Sequence, residues 1–359
     1  MFECKPDFDA VLDRYEAWWD AQIIDRPLVS MTFPRPQRNQ IPPPAPRHHA
    51  TLRDRWLDTQ WVVEQACSRM ANTCFHADAL PVTYPNLGPE IFSALYGCPL
   101  EFGETTSWSL PILHDWGQAA LDQLQLDLTG PYGAKLTEMT DALIEAGRGR
   151  FIVGYTDLHG GGDAVAAFRD PQQLCLDMIE HPAEVRSLVE RITTDFLQVY
   201  DFYHRRLSAA GMPSTTWLPA TCRGKFHVPS NDFSCMITDR MFQDIFLPGI
   251  VRECEPMDRC IYHLDGPQAL RYLDILLDLP QIHAIQWVPG AGRDHWRQWV
   301  PVYRRIQQRG KSFCLNVSVR ELPEVFQALR PEGAWLLVSG VSDQESAAAA
   351  LDRIARWSP

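Results

Sequence analysis

The sequence predicts an α/β fold: a single (β/α)8 TIM barrel with an N-terminal helix and an insertion after strand two. Short β-rich runs recur along the chain, and each is followed by a helical pattern, which is the alternation that builds a parallel sheet. The 359 residues, 45% of them hydrophobic, can bury a large core. Because such barrels often exceed about 250 residues as one unit, we expect a single domain over residues 1–359.

Eight runs are expected to form the barrel strands, and the last four are the clearest. The runs are Pro27–Phe33, Ala79–Tyr84, Phe151–Asp157, Ser214–Leu218, Arg259–Asp265, His283–Val288, Ser312–Val317 and Ala334–Ser339.

The helix expected over Pro182–Leu207 has apolar residues at three- and four-residue spacings, and Pro182 suits its first turn. The last helix should begin with a Ser-x-x-Glu capping box formed by Ser342 and Glu345. The three helices that follow strands six, seven and eight are expected at Asp294–Gln308, Leu322–Leu329 and Ser342–Trp357.

Two stretches exceed a minimal barrel. Pro34–Arg47 is dense in proline and arginine, and the insertion at about residues 87–150 contains GCPLEFGETTSWSLPILHDW, a pattern typical of a small hairpin before another helix. Both follow the C-terminal ends of expected strands, where barrel loops build active sites. We expect them to form a lid or wall.

Composition excludes several classes of function. The net charge of −12 and the lack of a Lys/Arg-rich tract disfavour nucleic acid as a partner. The apolar runs are far shorter than the roughly 20 residues that cross a bilayer, so no membrane span is expected. The N-terminus MFECKPDFDA is unlike a secretory signal, and the ten cysteines are scattered, which indicates reduced thiols and a cytoplasmic location.

Candidate site residues are the polar and aromatic ones at or beyond the C-terminal end of each strand, because eight loops converge there. This rule selects Tyr84, Asn86, Asp157, His159, Arg223, His263, Asp265, Trp287, Asn316 and Ser339, and Trp108 is added from the insertion.

His263 and Asp265, in YHLDG, are two residues apart on an extended segment, so their side chains share one face. An imidazole and a carboxylate at a strand end can bind a divalent metal, orient a substrate hydroxyl, or share general acid and base roles. A second interpretation is that Asp265 only caps a helix beginning near Pro267.

Asp157 and His159, in YTDLHGGGD, are candidates to handle a proton. The glycines Gly160–Gly162 permit positive φ angles and close backbone approach to a polar ligand, although a loop that needs tight turns explains them equally well. GxGxxG, GxSxG and HExxH spacings are missing from the sequence, so nucleotide cradles, serine hydrolases and zincins gain no support.

The remaining candidates are expected to bind substrate. Arg223 offers a bidentate fork for an anionic group, with a solvated loop as the alternative. Trp108 and Trp287 offer stacking surfaces, although most of the 12 tryptophans must serve packing. The substrate-binding set is Tyr84, Asn86, Trp108, Arg223, Trp287 and Asn316.

Four segments resemble the uroporphyrinogen decarboxylase superfamily over most of the chain: DALPVTYPNLGPEIFSALYG, RDPQQLCLDMIEHPAEVRSLVERI, NDFSCMITDRMFQDIFLPGI and YHLDGPQALRYLDILLDLPQIHAIQW. The resemblance implies a (β/α)8 barrel. The superfamily includes the decarboxylase of haem biosynthesis and zinc-dependent methyltransferases that exchange methyl groups with corrinoid proteins, and some of its members are homodimers.

The chain departs from the decarboxylase branch. That branch has an arginine-rich RQAGRY-type motif near the N-terminus, where this chain has RYEAWWDAQIIDRPLVSM. It also has an aspartate in an FSD pattern at the end of strand two, where this chain has Pro85. Decarboxylation of uroporphyrinogen is therefore disfavoured.

The chain also departs from the methyltransferase branch, which binds zinc through a His-x-Cys pair and a second cysteine near the last strand. Here His263 and Asp265 stand at the pair, and Ser339 stands near the last thiolate, with Cys222 and Cys314 as alternatives at other strand ends. Carboxylate in place of thiolate weakens zinc or favours a harder ion. Asp157–Gly162 also matches the DxHxxG spacing of corrinoid-binding domains, but no such domain surrounds it, so corrinoid would arrive on a separate protein.

The leading hypothesis is a methyltransferase-like enzyme that acts on a small molecule, with His263 and Asp265 as the expected ligands of a divalent metal. Asp157 or His159 would handle a proton. The alternative is a metal-independent decarboxylase or lyase with His263 and Asp265 as its acid–base pair. A third hypothesis is a ligand-binding barrel without catalysis.

Overall fold

Strands and helices alternate along most of the chain in the computed structural model, which describes residues 2–293 and 295–357. The strands are β1 (Leu28–Pro34), β2 (Thr73–Ala77), β3 (Val82–Thr83), β4 (Leu100–Phe102), β5 (Ser107–Ser109), β6 (Ile152–Val153), β7 (Phe226–His227), β8 (Arg259–Asp265), β9 (Ala284–Val288), β10 (Ser312–Ser318) and β11 (Ala334–Ser339).

The helices follow the same order. They are α1 (Phe8–Trp19), α2 (Leu52–Leu57), α3 (Thr59–Asn72), α4 (Ile91–Ala94), α5 (Gln118–Gln123), α6 (Pro131–Gly147), α7 (Gly161–Arg169), α8 (Pro171–Glu180), α9 (Pro182–Ala209), α10 (Asp239–Met241), α11 (Leu247–Cys254), α12 (Leu273–Asp278), α13 (Val300–Gln308), α14 (Leu322–Ala328) and α15 (Gln344–Ala355). Short 3-10 segments lie at Gln37–Asn39, Asp232–Met236, Pro267–Tyr272 and Trp296–Trp299, and a π segment lies at Phe242–Phe246.

The main sheet has the order β2-β1-β11-β10-β9-β8-β7, and its strands are parallel except for β2, which pairs antiparallel with β1. β3 and β6 form a separate parallel pair. A single backbone hydrogen bond from Tyr155 N to Thr215 O (3.0 Å) connects the segment after β6 to the run before β7, and Asp78 N, directly after β2, donates to Val29 O of β1 (2.7 Å). The fold is thus a mixed α/β arrangement with a parallel sheet, consistent with a TIM-like barrel, and in the described part of the chain the strand ladders do not join into one closed barrel.

The predicted strands are confirmed most closely at the C-terminal half. β8 and β11 have the predicted bounds, and β9 and β10 differ by one residue. The prediction of a strand at Ser214–Leu218 is wrong, because this run makes only an isolated bridge from Ser214 to Cys222. The Thr216 hydroxyl there donates to the carbonyls of Tyr155 and Thr156, in the kind of side-chain bonding that competes with a ladder.

The predicted helices exist, with corrections at their ends. α9 extends two residues beyond the prediction, and residues 296–308 begin with a 3-10 turn before α13, while Asp294 lies outside the described residues. The capping box of α15 is formed by Asp343 and Ser346, so the prediction of Ser342 and Glu345 was displaced by one residue. The antiparallel strand β2 was not predicted.

Both ends of the sheet are covered. The expected N-terminal helix is α1, and its Trp18 and Trp19 indoles donate to the carbonyls of Gly333 and Thr221, both at 2.9 Å, at the N-terminal ends of the strands. The insertion contains the expected hairpin, β4 and β5, followed by α5 and α6. Among the described helices, none combines the length and apolar character that a membrane crossing needs.

Candidate active site

Acidic and imidazole side chains meet at the C-terminal ends of β6 and β8. We call them the His/Asp cluster, and its members are Asp157, His159, Asp163, Asp232, His263 and Asp265.

Local backbone geometry brings the β6 side of the cluster together. Gly161 has a φ of +50° at the first residue of α7, a conformation that glycine adopts without strain. A Cβ at Gly162 would lie 2.6 Å from the Asn231 side-chain oxygen, so glycine is also needed there for close packing. The first turn of α7 then places Asp163 beside His159, with the two side chains 3.6 Å apart.

Asp163 fixes the segment that carries Asp232. Its Oδ1 accepts from the backbone N–H of Phe233 at 2.8 Å, and its Oδ2 accepts from the backbone N–H of Asp232 at 3.1 Å. Burial raises the pKa of Asp163, but the interaction with His159 and these two backbone bonds lower it by more, so that the pKa lies below its ordinary value. Asp163 is therefore an anion at neutral pH.

His159 lies between two carboxylates. Its Nε2 is 3.0 Å from Asp157 Oδ1, and its Nδ1 is 3.1 Å from the Ser230 hydroxyl, which also donates to Asp163 at 3.1 Å. Burial opposes a charge on this imidazole, but the Asp157 and Asp163 carboxylates prevail and hold the pKa of His159 well above its ordinary value. In the metal-free protein, His159 therefore carries a proton at neutral pH.

His263 is oriented by β9. Its Nδ1 lies 2.7 Å from Oε1 of Gln286, the residue that faces it in the parallel β8–β9 register. Trp217 packs edge-on against the ring at a centroid distance of 5.3 Å. The remaining nitrogen, Nε2, faces Asp232 Oδ1 at 3.9 Å.

Asp232 lies between the two histidines. Burial and the nearby Asp163 carboxylate raise its pKa to about 6, and its buried Oδ1 has no hydrogen-bond partner among the described residues. Two groups of side chains offer ligand atoms within 4.8 Å of one another: Asp232, His263 and Asp265 form one, and His159, Asp163 and Asp232 form the other. Imidazole nitrogen and carboxylate oxygen are ligands for divalent metals.

A buried pair lies behind the cluster. His227 Nε2 and Glu253 Oε2 are 3.8 Å apart, and Glu253 also packs against the glycine run, so that a Cβ at Gly160 would be 2.8 Å from its Oε1. Burial, with the Asp163 charge, raises the pKa of Glu253 to about 8. Burial and the His159 charge lower the pKa of His227 to about 3. Both groups are therefore neutral at pH 7.

Two cavities flank the cluster. One of about 400 Å³ is lined by His159, Asp163 and Asp232, and by Glu90 and Ser109 from the insertion. The insertion thus contributes a wall beside the cluster, as expected. The other cavity, of about 560 Å³, lies over β9, β10 and β11, and its lining includes Gln286, Trp287, Asn316, Glu321 and Ser339.

The predicted residues Trp287 and Asn316 line the 560 Å³ cavity, where the buried Trp287 indole N–H has no partner among the described residues. Tyr84 lies near Asp157; burial, with that charge, raises its pKa to about 12. The Asn86 side chain accepts from the backbone N–H of Gly88 at 2.9 Å and so closes a turn.

Two predicted substrate contacts lie away from the cluster. Trp108 is 45% exposed on β5, and its indole donates to Glu101 at 3.0 Å across the hairpin. Arg223 was expected after a strand, but it precedes β7 and therefore lies at the N-terminal edge, where it pairs with Asp13. The expectation for Arg223 is corrected, because the strand on which it depended does not form.

The structure also decides between alternatives for other residues. The 3-10 segment Pro267–Tyr272 after β8 has Gly266, not Asp265, as its N-cap residue and makes no side-chain cap bond, so the capping interpretation is wrong. Ser339 lines the 560 Å³ cavity and donates to Val317 O at 3.3 Å. Burial raises the pKa of both Cys222 and Cys314 to about 12, and neither belongs to a metal-ligating group in the described part of the chain.

Sequence reasoning missed three members of the site. Asp163 ends the quoted DLHGGGD motif, four residues after His159, a spacing that brings side chains together in a helical turn. Gln286 is a polar residue within the apolar strand AIQWV, which is a recognisable signal. Asp232 gave no local signal, because its segment is a short 3-10 turn whose position is fixed by contacts between residues that are distant in the chain.

The comparisons with known proteins concern the fold. No family model matches the chain, and no curated protein matches it. The structure is similar to that of a methyltransferase from Methanosarcina mazei, with a TM-score of 0.58 and 10% sequence identity over 96% of this chain and 98% of that chain. The chain has the fold of a methyltransferase. At this identity the likeness extends to the fold alone.

Proposed function

We propose that the protein is a methyltransferase-like enzyme of the uroporphyrinogen decarboxylase superfamily, a single barrel domain that acts on a small molecule with a divalent metal. The observation that carries the proposal is the group formed by Asp232, His263 and Asp265 at the C-terminal edge of the sheet. The fold of the Methanosarcina mazei methyltransferase supports the reaction class.

The donor set fits a divalent ion. It offers one imidazole nitrogen and two carboxylates, and the partnerless Oδ1 of Asp232 faces Nε2 of His263. Because thiolates are absent from this set, it suits a harder ion such as Mn²⁺ at least as well as zinc. When bound, such an ion is a Lewis acid that polarises a substrate heteroatom and lowers its pKa.

The chain's own residues do the remaining work. Gln286 holds the His263 ring and leaves Nε2 free toward the cluster. The protonated His159, held by Asp157, can give a proton to a reacting group. Trp287 and Asn316 bind substrate in the adjoining cavity. A corrinoid, where one takes part, arrives on a separate protein, and assembly as a homodimer is part of the same proposal.

Elemental analysis of protein purified without chelator tests the metal assignment. Wild type should retain stoichiometric metal, and His263→Ala and Asp265→Ala should lose it. A methyl-transfer assay with methylcobalamin and a thiol acceptor, followed by the loss of the methyl–cobalt absorbance, should show turnover only in the metal-loaded wild type. Stoichiometric metal in both variants would contradict the site assignment.

A metal-independent decarboxylase or lyase is the second candidate, and the protonated His159 between two carboxylates favours it, because such a group is a ready general acid. The pair His263 and Asp265 is less suited to this role, since the His263 nitrogens face Gln286 and Asp232. Activity that survives complete removal of metal would favour this candidate. Tight ligand binding without turnover would favour a ligand-binding barrel.

A further inference from the structure

We infer that the His/Asp cluster holds a second divalent ion, bound by His159, Asp163 and Asp232, so that Asp232 bridges two ions. The inference rests on the proposed function, because the first ion is the one assigned to Asp232, His263 and Asp265. In each group the ligand atoms lie within 4.8 Å of one another. Two ligands of one ion at metal–ligand distances of about 2.1 Å are at most about 4.2 Å apart, so small side-chain movements would bring each group onto one ion.

Each histidine has the outer partner that metal-binding histidines have. A ligating imidazole almost always uses its second ring nitrogen to bond a carboxylate or carbonyl oxygen, which fixes the ring. Asp157 occupies that position for His159, with 3.0 Å to Nε2, and Gln286 occupies it for His263, with 2.7 Å to Nδ1. The other nitrogen of each ring faces the interior of the cluster.

Asp232 is suited to bridge. Its Oδ1 lies 3.9 Å from Nε2 of His263, and its backbone N–H donates to Asp163. Its Oδ1 is buried without a partner among the described residues. A carboxylate can bind one ion through each oxygen, which leaves neither oxygen unsatisfied.

The groups of the second position are free to bind an ion. The Ser230 hydroxyl has one proton and lies 3.1 Å from both His159 Nδ1 and Asp163 Oδ2, so it remains satisfied by Asp163 when His159 turns to an ion. Asp163 accepts two backbone bonds, and its carboxylate has about four lone-pair directions. A divalent ion replaces the Nδ1 proton of His159 as the charge between the carboxylates, so His159 can give a proton to a reacting group only while this position is empty.

The second ion would lie at the 400 Å³ cavity. Its lining contains His159, Asp163, Asp232, Glu90 and Asp170 but no arginine or lysine among the described residues. The only cationic side chain described there is His159, which the Asp157 and Asp163 carboxylates already hold, so an ion at this position would supply the recognition of an anionic oxygen or thiolate of a reactant.

The test uses the chain of residues 1–359, stripped of metal by chelation and dialysed against Mn²⁺. Bound manganese is measured by elemental analysis, and magnetic coupling between ions by electron paramagnetic resonance. We expect two Mn²⁺ per chain with a coupled spectrum in wild type. His159→Ala should bind one ion and give an uncoupled spectrum, and Asp232→Asn should weaken both ions.

Controls separate loss of an ion from loss of the fold. His159→Gln keeps a polar side chain and should behave like His159→Ala, and His48→Ala removes an exposed histidine elsewhere and should keep two coupled ions. Each variant is checked by circular dichroism. A wild type with one ion that His263→Ala loses and His159→Ala keeps would overturn the second position alone. A wild type without bound metal would overturn the proposed function as well.

Discussion

The carboxylates at the two ends of the sheet have different partners. At the N-terminal edge, the buried Asp78 accepts from Arg26 at 3.0 Å and from the backbone N–H of Val29 at 2.9 Å, and Arg259 pairs with Asp20 at 3.1 Å. At the C-terminal edge, the ion pairs described for the cluster carboxylates involve histidine only. The first edge is neutralised by arginine, and the second has an excess of negative charge.

This difference separates stability from function. A carboxylate that is paired with arginine and a backbone N–H contributes to the folded state and has no capacity left for a ligand. Burial and the nearby Asp163 carboxylate raise the pKa of Asp232, and close carboxylates without an arginine or lysine partner favour binding of a cation. Substitutions at the first edge should change stability, and those at the second should change binding.

The largest effect on stability is expected for Asp78→Ala. The change leaves the Arg26 guanidinium buried without its partner, which typically costs about 3–5 kcal/mol of unfolding free energy. Urea unfolding followed by circular dichroism measures the loss, and the folded fraction should still bind metal with unchanged stoichiometry. A loss below about 1 kcal/mol would show that this pair contributes no more to stability than an exposed ion pair does.

Glu253→Gln should change the pH dependence of stability. Burial raises the folded-state pKa of Glu253 from 4.5 to about 8, so the unfolded chain ionises first as the pH rises. Wild type therefore loses stability between pH 4.5 and pH 8, by up to about 1.4 kcal/mol per pH unit from this group. Relative to wild type, the variant should gain stability from pH 5 to pH 8 in urea unfolding. A difference that does not vary with pH would contradict the burial of a neutral carboxyl group.

Gln286→Ala should lower metal affinity without removing a ligand. The change frees the His263 ring to rotate, and loss of an outer partner typically costs about tenfold to hundredfold in metal affinity. Equilibrium dialysis against Mn²⁺ measures the dissociation constant, and Gln308→Ala, at an exposed glutamine that ends α13, is the matched control. Equal affinities in the two variants would show that Gln286 does not orient His263.

The smallest effect is expected for Arg223→Ala. Arg223 is 63% exposed where it pairs with Asp13, and exposed ion pairs contribute little, so stability should change by less than about 1 kcal/mol. Binding of a substrate analogue should not change, because the residue lies at the edge opposite the cluster. Weakened binding, measured by calorimetry, would show that Arg223 takes part in substrate binding after all.

The sequence predicted the parts of the fold and site that depend on local patterns. β8 and its alternation placed His263 and Asp265 on one face, and the DLHGGGD motif placed Asp157 and His159 at a neighbouring strand end. Arg223 was misplaced because the run before it forms no strand; its Thr216 hydroxyl donates to the Tyr155 carbonyl, and only an isolated bridge forms at Ser214. Asp232 could not be predicted, because Asp163 holds its segment from 69 residues away in the chain.

The most direct test of the central claim is metal-linked stability. An ion that binds only the folded protein raises the unfolding free energy by about 2.7 kcal/mol at one hundred times its dissociation constant. Urea unfolding with Mn²⁺ and with chelator should show this rise in wild type and lose most of it in Asp232→Asn, whose circular dichroism should match wild type. An equal rise in both proteins, or none in wild type, would contradict a metal centre at this edge.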